Sequence, residues 1–229
     1  MFYCCRAKQS HAILARVNIR LVIFCVAALL APTPSSCGDK EEDGTQLLVD
    51  GAVEDLKKER FDAALVKLYE AQKLDPSSAS ILNLLGAVYT KKKDLPRART
   101  FFERSLEREA DFFPAAFNIG ELIFLEKDYP EALDYFLNML KADPGNELLQ
   151  FKVVLCFLLT DQPAEAEKLL ARMRFPGNGP AWHYAQAASQ IVSGNERRAR
   201  QLIVSAQVIF PGKTSLYDQT FQDLGWPTH

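Results

Sequence analysis

Past residue 37 this chain has one cysteine left, Cys156, of five among its 229 residues. A lone thiol closes no internal disulfide and has no cysteine partner with which to build a zinc site. Lying in the run Val153, Val154, Leu155, Cys156, Phe157, it reads as a small buried hydrophobe. Histidine is equally scarce. His11, His183 and His229 are the three, and His183, beside Trp182 and Tyr184, has no carboxylate or cysteine at metal-ligand spacing. Glycine-rich phosphate loops, nucleophile elbows and paired zinc motifs do not occur. Glu165 and Glu167 stand two apart on a helix and so point away from each other. The sequence therefore calls for no cofactor, no metal, no small-molecule substrate and no catalytic residue. A basic excess is missing too. Of 27 lysines and arginines, four (Arg6, Lys8, Arg16, Arg20) fall in the first 37 residues, leaving 23 against 29 acidic residues in the remainder. Such a body offers no clustered basic face to nucleic acid. With 48% apolar and 24% charged residues, the composition is that of a chain able to bury a core.

Long apolar runs are also absent. The longest, 21–31, has eleven residues, about half the roughly 20 that a spanning helix needs. Basic residues precede it, and Pro32, Pro34 and small polar residues follow as far as Cys37. Basic, apolar and small-polar stretches in that order are the layout of an export signal. The segment 30–39 resembles a bacterial lipoprotein signal, which implies lipid attachment at Cys37. Ser36 and Gly38 fit that pattern, and Pro34 departs from it. Three fates stay open: lipidation at Cys37, cleavage to a soluble exported form, or an uncleaved anchor. Residues 1–37 are thus assigned to export and 38–44 to an acidic tether. A periplasmic, cell-envelope location is expected.

What the chain has in abundance is a ruler. Ala64, Ala98, Ala132 and Ala166 stand 34 residues apart. Phe61, Leu95, Tyr129 and Pro163 keep the same step, as do Leu68, Phe102, Phe136 and Leu170. A further column runs Ala52, Gly86, Gly120 and degrades at Val154; a fifth copy, with Ala187, Ala199 and Ala206, arrives one residue early. A period of this size is what stacked helix–turn–helix units produce. In the second copy, Ile81, Leu82, Leu85, Val88 and Tyr89 mark one helix face, and Leu95, Ala98, Phe101, Phe102 and Leu106 its partner. Gly86 and Ala98 are small where two helices must cross closely. Asp75-Pro76 and Asp143-Pro144 end units, because proline disfavours helix in the residue before it. Units are expected at 45–78, 79–112, 113–146, 147–179 and 180–213. The loop 177–180 accounts for the slip, and 214–229 forms a helix and tail that cover the end of the stack, as solenoids require.

At these columns the chain resembles the tetratricopeptide repeat family. Leu82, Leu85, Gly86, Tyr89, Ala98, Phe102 and Ser105 carry the likeness in the best copy, and Ile119, Gly120, Tyr129, Ala132, Phe136 and Pro144 in the third. The resemblance covers about 45–213. It implies an all-α, right-handed superhelical solenoid of about five units whose first helices line a concave groove. The inward positions would then include Asn83, Phe117, Glu121, Phe124, Phe151, Leu155, Leu158 and Tyr184, a stripe suited to an apolar or amphipathic segment. The same residues would serve equally as core, packed on each other or on the C-terminal helix. Val49, Val53 and Pro114 stand where some members hold a carboxylate with a basic clamp. The function expected is a non-enzymatic exported adaptor that binds another protein through this groove. Its rival is a structural subunit of an envelope assembly or secretion complex.

Overall fold

In a computed structural model that describes residues 41–229, the described residues form eleven helices and no strand. The export segment, Cys37 and residues 38–40 lie outside the described residues. Ten helices pair in order: α1 (Glu41–Lys57) with α2 (Phe61–Leu74), α3 (Ala79–Lys91) with α4 (Leu95–Arg108), α5 (Phe113–Leu125) with α6 (Tyr129–Ala142), α7 (Glu147–Leu159) with α8 (Pro163–Leu170), and α9 (Ala181–Val192) with α10 (Glu196–Ile209). The last, α11, is Ser215–Asp223. The solenoid of helix–turn–helix units expected from the period is the fold. The acidic stretch expected as a tether is helical from Glu41 onward.

The turn inside each unit repeats as strictly as the core. Glu59, Lys93, Lys127 and Asp161 have positive φ (58°, 63°, 66° and 57°), and Gly194 follows at 78°. A left-handed residue at this point lets the next N–H reach back and satisfy a carbonyl of the helix just ended. Asp94 N thus donates to Tyr89 O at 3.0 Å, Gln162 N to Phe157 O at 2.8 Å and Asn195 N to Gln190 O at 2.7 Å. The next helix starts with a cap where the sequence supplies one. The Asp94 carboxylate accepts from Arg97 N and the Asp128 carboxylate from Glu131 N, pairing two donors that would otherwise be orphaned.

Between the helices of a unit, the spacing is set by residues sixteen apart. A Cβ added to Gly86 would lie 2.5 Å from Phe102 Cε1, and one added to Gly120 would lie 2.5 Å from Phe136 Cε1. Each ring fills the space of the missing methyl and is fully buried. In the fourth unit the glycine is replaced by Val154 and the phenylalanine by Leu170, both buried. The large residue shrinks as the small one grows, so the pair keeps its volume. The degraded column in the sequence is a compensated one.

Three features depart from expectation. First, α8 has eight residues where α2, α4, α6 and α10 have fourteen. The non-helical stretch begins at Ala171, well before the expected loop at 177–180. The Glu147 carboxylate holds this stretch by accepting from Asn178 N at 2.8 Å and Gly179 N at 3.1 Å. Second, the C-terminal helix does not cover the end of the stack. α11 folds back against α7 and α9, leaving Val204, Val208 and Ile209 of α10 exposed by 47%, 75% and 57%. The reason lies in its aromatic residues, which find rings on α7 and α9. Third, a clamp not visible in the sequence ties α1 to α2. Buried Asp55 accepts from Arg60 Nε at 2.9 Å and Lys67 Nζ at 2.6 Å.

Two outcomes follow from these contacts. Gly86→Val should lower stability by about 1–3 kcal/mol, and adding Phe102→Leu should recover much of the loss; additive losses in urea denaturation would show that the ring does not set the spacing. Donation from Lys67 and then Arg60 holds the Asp55 carboxyl below its ordinary value. Its contribution is therefore complete above the ordinary aspartate range and is lost as pH falls through the lowered value. Denaturation followed across that acid range should show a limb that Asp55→Asn flattens.

Candidate functional site

The first helices of units two to five are joined in order: α3 to α5 by Asn118 and Asn83, α5 to α7 by Glu121 and Lys152, and α7 packs on α9. α7 is apolar nearly all round, Glu-Leu-Leu-Gln-Phe-Lys-Val-Val-Leu-Cys-Phe-Leu-Leu, the pattern of a helix buried on every side. Its one lysine, Lys152, is fully buried. Such a charge persists only when paired and hydrogen-bonded. Lys152 Nζ donates to Glu121 Oε2 at 2.8 Å and to Thr220 Oγ1 of α11 at 3.0 Å. It also stands 4.9 Å from the centre of the Phe124 ring and 5.7 Å from that of Phe151, within range of cation–π attraction. The Thr220 hydroxyl in turn donates a hydrogen bond to Leu216 O at 3.0 Å, so it accepts and donates at once.

Aromatic rings complete the seat for α11. Tyr217 lies 4.8 Å from Phe151 and 5.0 Å from Tyr184, ring centre to ring centre, and Phe221 lies 5.3 Å from Tyr184. Tyr184 donates its hydroxyl proton to Asp218, which also accepts from Gln207 Nε2 at 3.2 Å. Burial, and then the Asp218 carboxylate, push the Tyr184 phenol well above its ordinary value. Burial does the same to Tyr217. Both rings thus stay neutral. After Gly225 the chain returns along α10, where Gln207 Nε2 donates to Thr228 O at 2.9 Å.

This arrangement corrects the expected open stripe. Phe151, Leu155 and Tyr184 are fully buried, with Phe151 and Tyr184 roofed by α11, and Leu158 is 7% exposed. Phe117 packs inside its own unit, 6.0 Å from Phe113 and 5.7 Å from Phe136. Phe124 lies under the Lys152 ammonium and beside Tyr129 at 5.2 Å. Asn83 is buried and accepts from Asn118 Nδ2 at 2.8 Å. Glu121 alone keeps a polar groove role, as the partner of Lys152. Lys152, Asn118 and Thr220 escaped the sequence reading. The signal for the first two was present: positions 118 and 152 are 34 apart, so a polar residue recurs in one column of otherwise apolar helices.

Two side chains with reactive groups, Cys156 and His183, are both buried. Burial raises the Cys156 thiol to about 12, so it carries no appreciable thiolate near neutral pH. His183 is buried against Phe175, Trp182 and Phe210, and that burial lowers its pKa. No group of three or more potential metal ligands occurs among the described residues. No helix among them is long and apolar enough to cross a membrane.

Comparison with known proteins agrees with the period. Family models described as tetratricopeptide repeat match residues 50–112 and 124–189. Among curated proteins, the chain is 27% identical over 116 residues to Hsp70-Hsp90 organizing protein 1 of Glycine max, covering 51% of this chain and 19% of that one. It is 24% identical over 116 residues to the Hsp70-Hsp90 organizing protein of Triticum aestivum, with the same coverage. The chain therefore spans about a fifth of the length of these curated relatives. Among solved structures, a thermophilic TPR protein of Thermus thermophilus superposes with a TM-score of 0.62 at 18% identity, covering 79% of this chain and 98% of that one. The pilF protein of Pseudomonas aeruginosa gives 0.58 at 18% identity, with 80% and 93% covered. YrrB, described as a TPR protein with an unusual peptide-binding site, gives 0.50 at 19% identity, with 80% and 94% covered. At these identities the structural likeness establishes the fold.

Removing one partner of a buried ion pair leaves the other uncompensated. Lys152→Met should cost about 3 kcal/mol, whereas Lys152→Met with Glu121→Leu should regain most of it. Urea denaturation checks both, and a single variant as stable as the parent would show that the pair is not buried in solution.

Proposed function

We propose that this chain, which belongs to the tetratricopeptide repeat family, is a non-enzymatic scaffold that binds another protein at the cell envelope. One observation carries the binding role. The face built by α5, α7 and α9 already holds an amphipathic helix, α11, through rings and a buried ammonium. A surface that seats a helix of its own chain has the chemistry to seat one from another. The envelope location rests on the sequence. The basic, apolar and small-polar order of residues 1–37 supports export, and Cys37 between Ser36 and Gly38 supports a lipid anchor.

A second reading draws on a different feature. Val204, Val208 and Ile209 leave an apolar stripe on the outer face of α10, which suits a structural subunit of an envelope assembly or secretion complex packed end-on against a neighbour. In that role the groove stays filled by α11.

Purification from native membranes at low and high salt, followed by mass spectrometry, separates the two. A scaffold loses its partner readily during purification, and a structural subunit stays in a fixed stoichiometric complex at both salt concentrations. Cys37→Ala should release the protein from the membrane fraction or block its processing. An intact mass that retains residues 1–36 would overturn the cleaved, lipid-anchored form.

A further inference from the structure

The connection 171–180, between α8 and α9, carries a reactive pair that occurs once in the chain. Of the seven asparagines, Asn178 alone precedes a glycine. With no side chain on the following residue, the backbone nitrogen and the asparagine carboxamide can approach closely. That nitrogen, once its proton is lost, can bond to the asparagine Cγ. The bond from Cγ to the side-chain nitrogen then breaks, and ammonia leaves with the proton. Water opens the resulting five-membered imide at either carbonyl, leaving an ordinary aspartate or an isoaspartate whose main chain runs through the side-chain carbon.

Of the two reacting groups, the structure leaves one free and holds the other. Asn178 is exposed, and its side-chain carboxamide has no hydrogen-bond partner among the described residues. The Gly179 nitrogen is held: it donates to Glu147 Oε2 at 3.1 Å, beside the bond from Asn178 N to Glu147 Oε1 at 2.8 Å. Glu147 stands in the first turn of α7, a helix buried in the stack, so its carboxylate is anchored from the opposite side of the connection. The bond commits the Gly179 N–H to that carboxylate. A negative charge so near also disfavours the anion that this nitrogen must become before it attacks.

We propose that Asn178 is a site of spontaneous modification guarded by Glu147, converting to aspartate or isoaspartate only while the link between α7 and the connection is open. Conversion then keeps the link open. The isoaspartyl form inserts one more carbon between the two N–H groups that grip Glu147, so they no longer fit a single carboxylate. Either product also sets a second negative charge beside the first, and like charges at short range repel. The connection joins the fourth unit to the fifth. The modification is therefore a lasting record of how long that junction has stood open.

The test incubates the full chain at neutral pH and follows the tryptic fragment 175–197 by mass spectrometry, with a synthetic peptide of residues 174–184 as the unguarded reference. Asn178 in the unaltered chain should convert more slowly than in the peptide by about tenfold or more, the worth of one charge-assisted hydrogen bond. Glu147→Ala in the full chain should raise the rate toward that of the peptide. Glu147→Gln, which has no charge and keeps at most one of the two bonds, should raise it by a smaller factor and serves if the alanine variant does not fold. Gly179→Ala should slow conversion in the peptide and in the Glu147→Ala chain alike. Its added Cβ would lie 3.6 Å from Glu147 Oε2, an ordinary contact that the connection accommodates. Converted and unconverted chains, separated by ion exchange, should differ in hydrogen exchange at Gly179 and the start of α9, with the converted form faster. Conversion of the unaltered chain at the rate of the peptide would overturn the inference. So would a Glu147→Ala chain that converts no faster than the unaltered one, or one that converts more slowly, which would make Glu147 the base of the reaction and not its guard. Equal hydrogen exchange in the two separated forms would overturn the lasting effect on the junction.

Discussion

Everything in this molecule is built on how closely two helices of a unit can approach. With no Cβ at Gly86 and Gly120, the edges of Phe102 and Phe136 enter the partner helix itself. That contact fixes the separation of the pair, and the pair fixes the tilt passed on to the next unit. Core density leaves no slack for a second solution. The fourth unit shows that the constraint is on the sum of two volumes, because Val154 is met by Leu170. Close crossing within each unit is also what presents the first helices side by side, and without it Glu121 of α5 could not reach Lys152 of α7.

That reach explains the polar chemistry of the groove. A lysine at the centre of an apolar helix is held by a carboxylate from the unit before, a hydroxyl from the C-terminal helix and the faces of two rings. Each removes part of the desolvation cost, and α11 supplies one of them. The seat for α11 is thus specific as well as apolar: a helix with rings in the right places and no hydroxyl would leave the ammonium one hydrogen bond short.

The fold was legible in the sequence because its determinants recur. Alanines 64, 98, 132 and 166 need only be counted, and each lies fully buried at a helix crossing. The left-handed turn residues recur on the same step, though as Glu, Lys, Lys and Asp they carry no chemical mark of that conformation. The site was less legible because it depends on where one non-repeating helix goes. Tyr217 and Phe221 announced a helix with an apolar face, and two destinations fit that face, the end of the stack or its groove. Choosing between them requires the ring positions of Phe151 and Tyr184, which exist only once the units are stacked. Phe117 misled for a related reason: the register gave its column, but its neighbours Phe113 and Phe136 decided which way the ring turned.

Most contacts in this stack join neighbours along the chain, so any unit can begin to fold and the rest can add in either direction. The bond between Lys152 and Thr220 is different, because it spans 68 residues. It can close only after α7 and α9 are both in place, so α11 docks late. Once closed, it couples the fourth and fifth units, which would otherwise fray one at a time from the C-terminal end. The helix that fills the groove thus also acts as a kinetic latch, and hydrogen exchange in α9 and α10 should be slow while it is shut and fast once it opens.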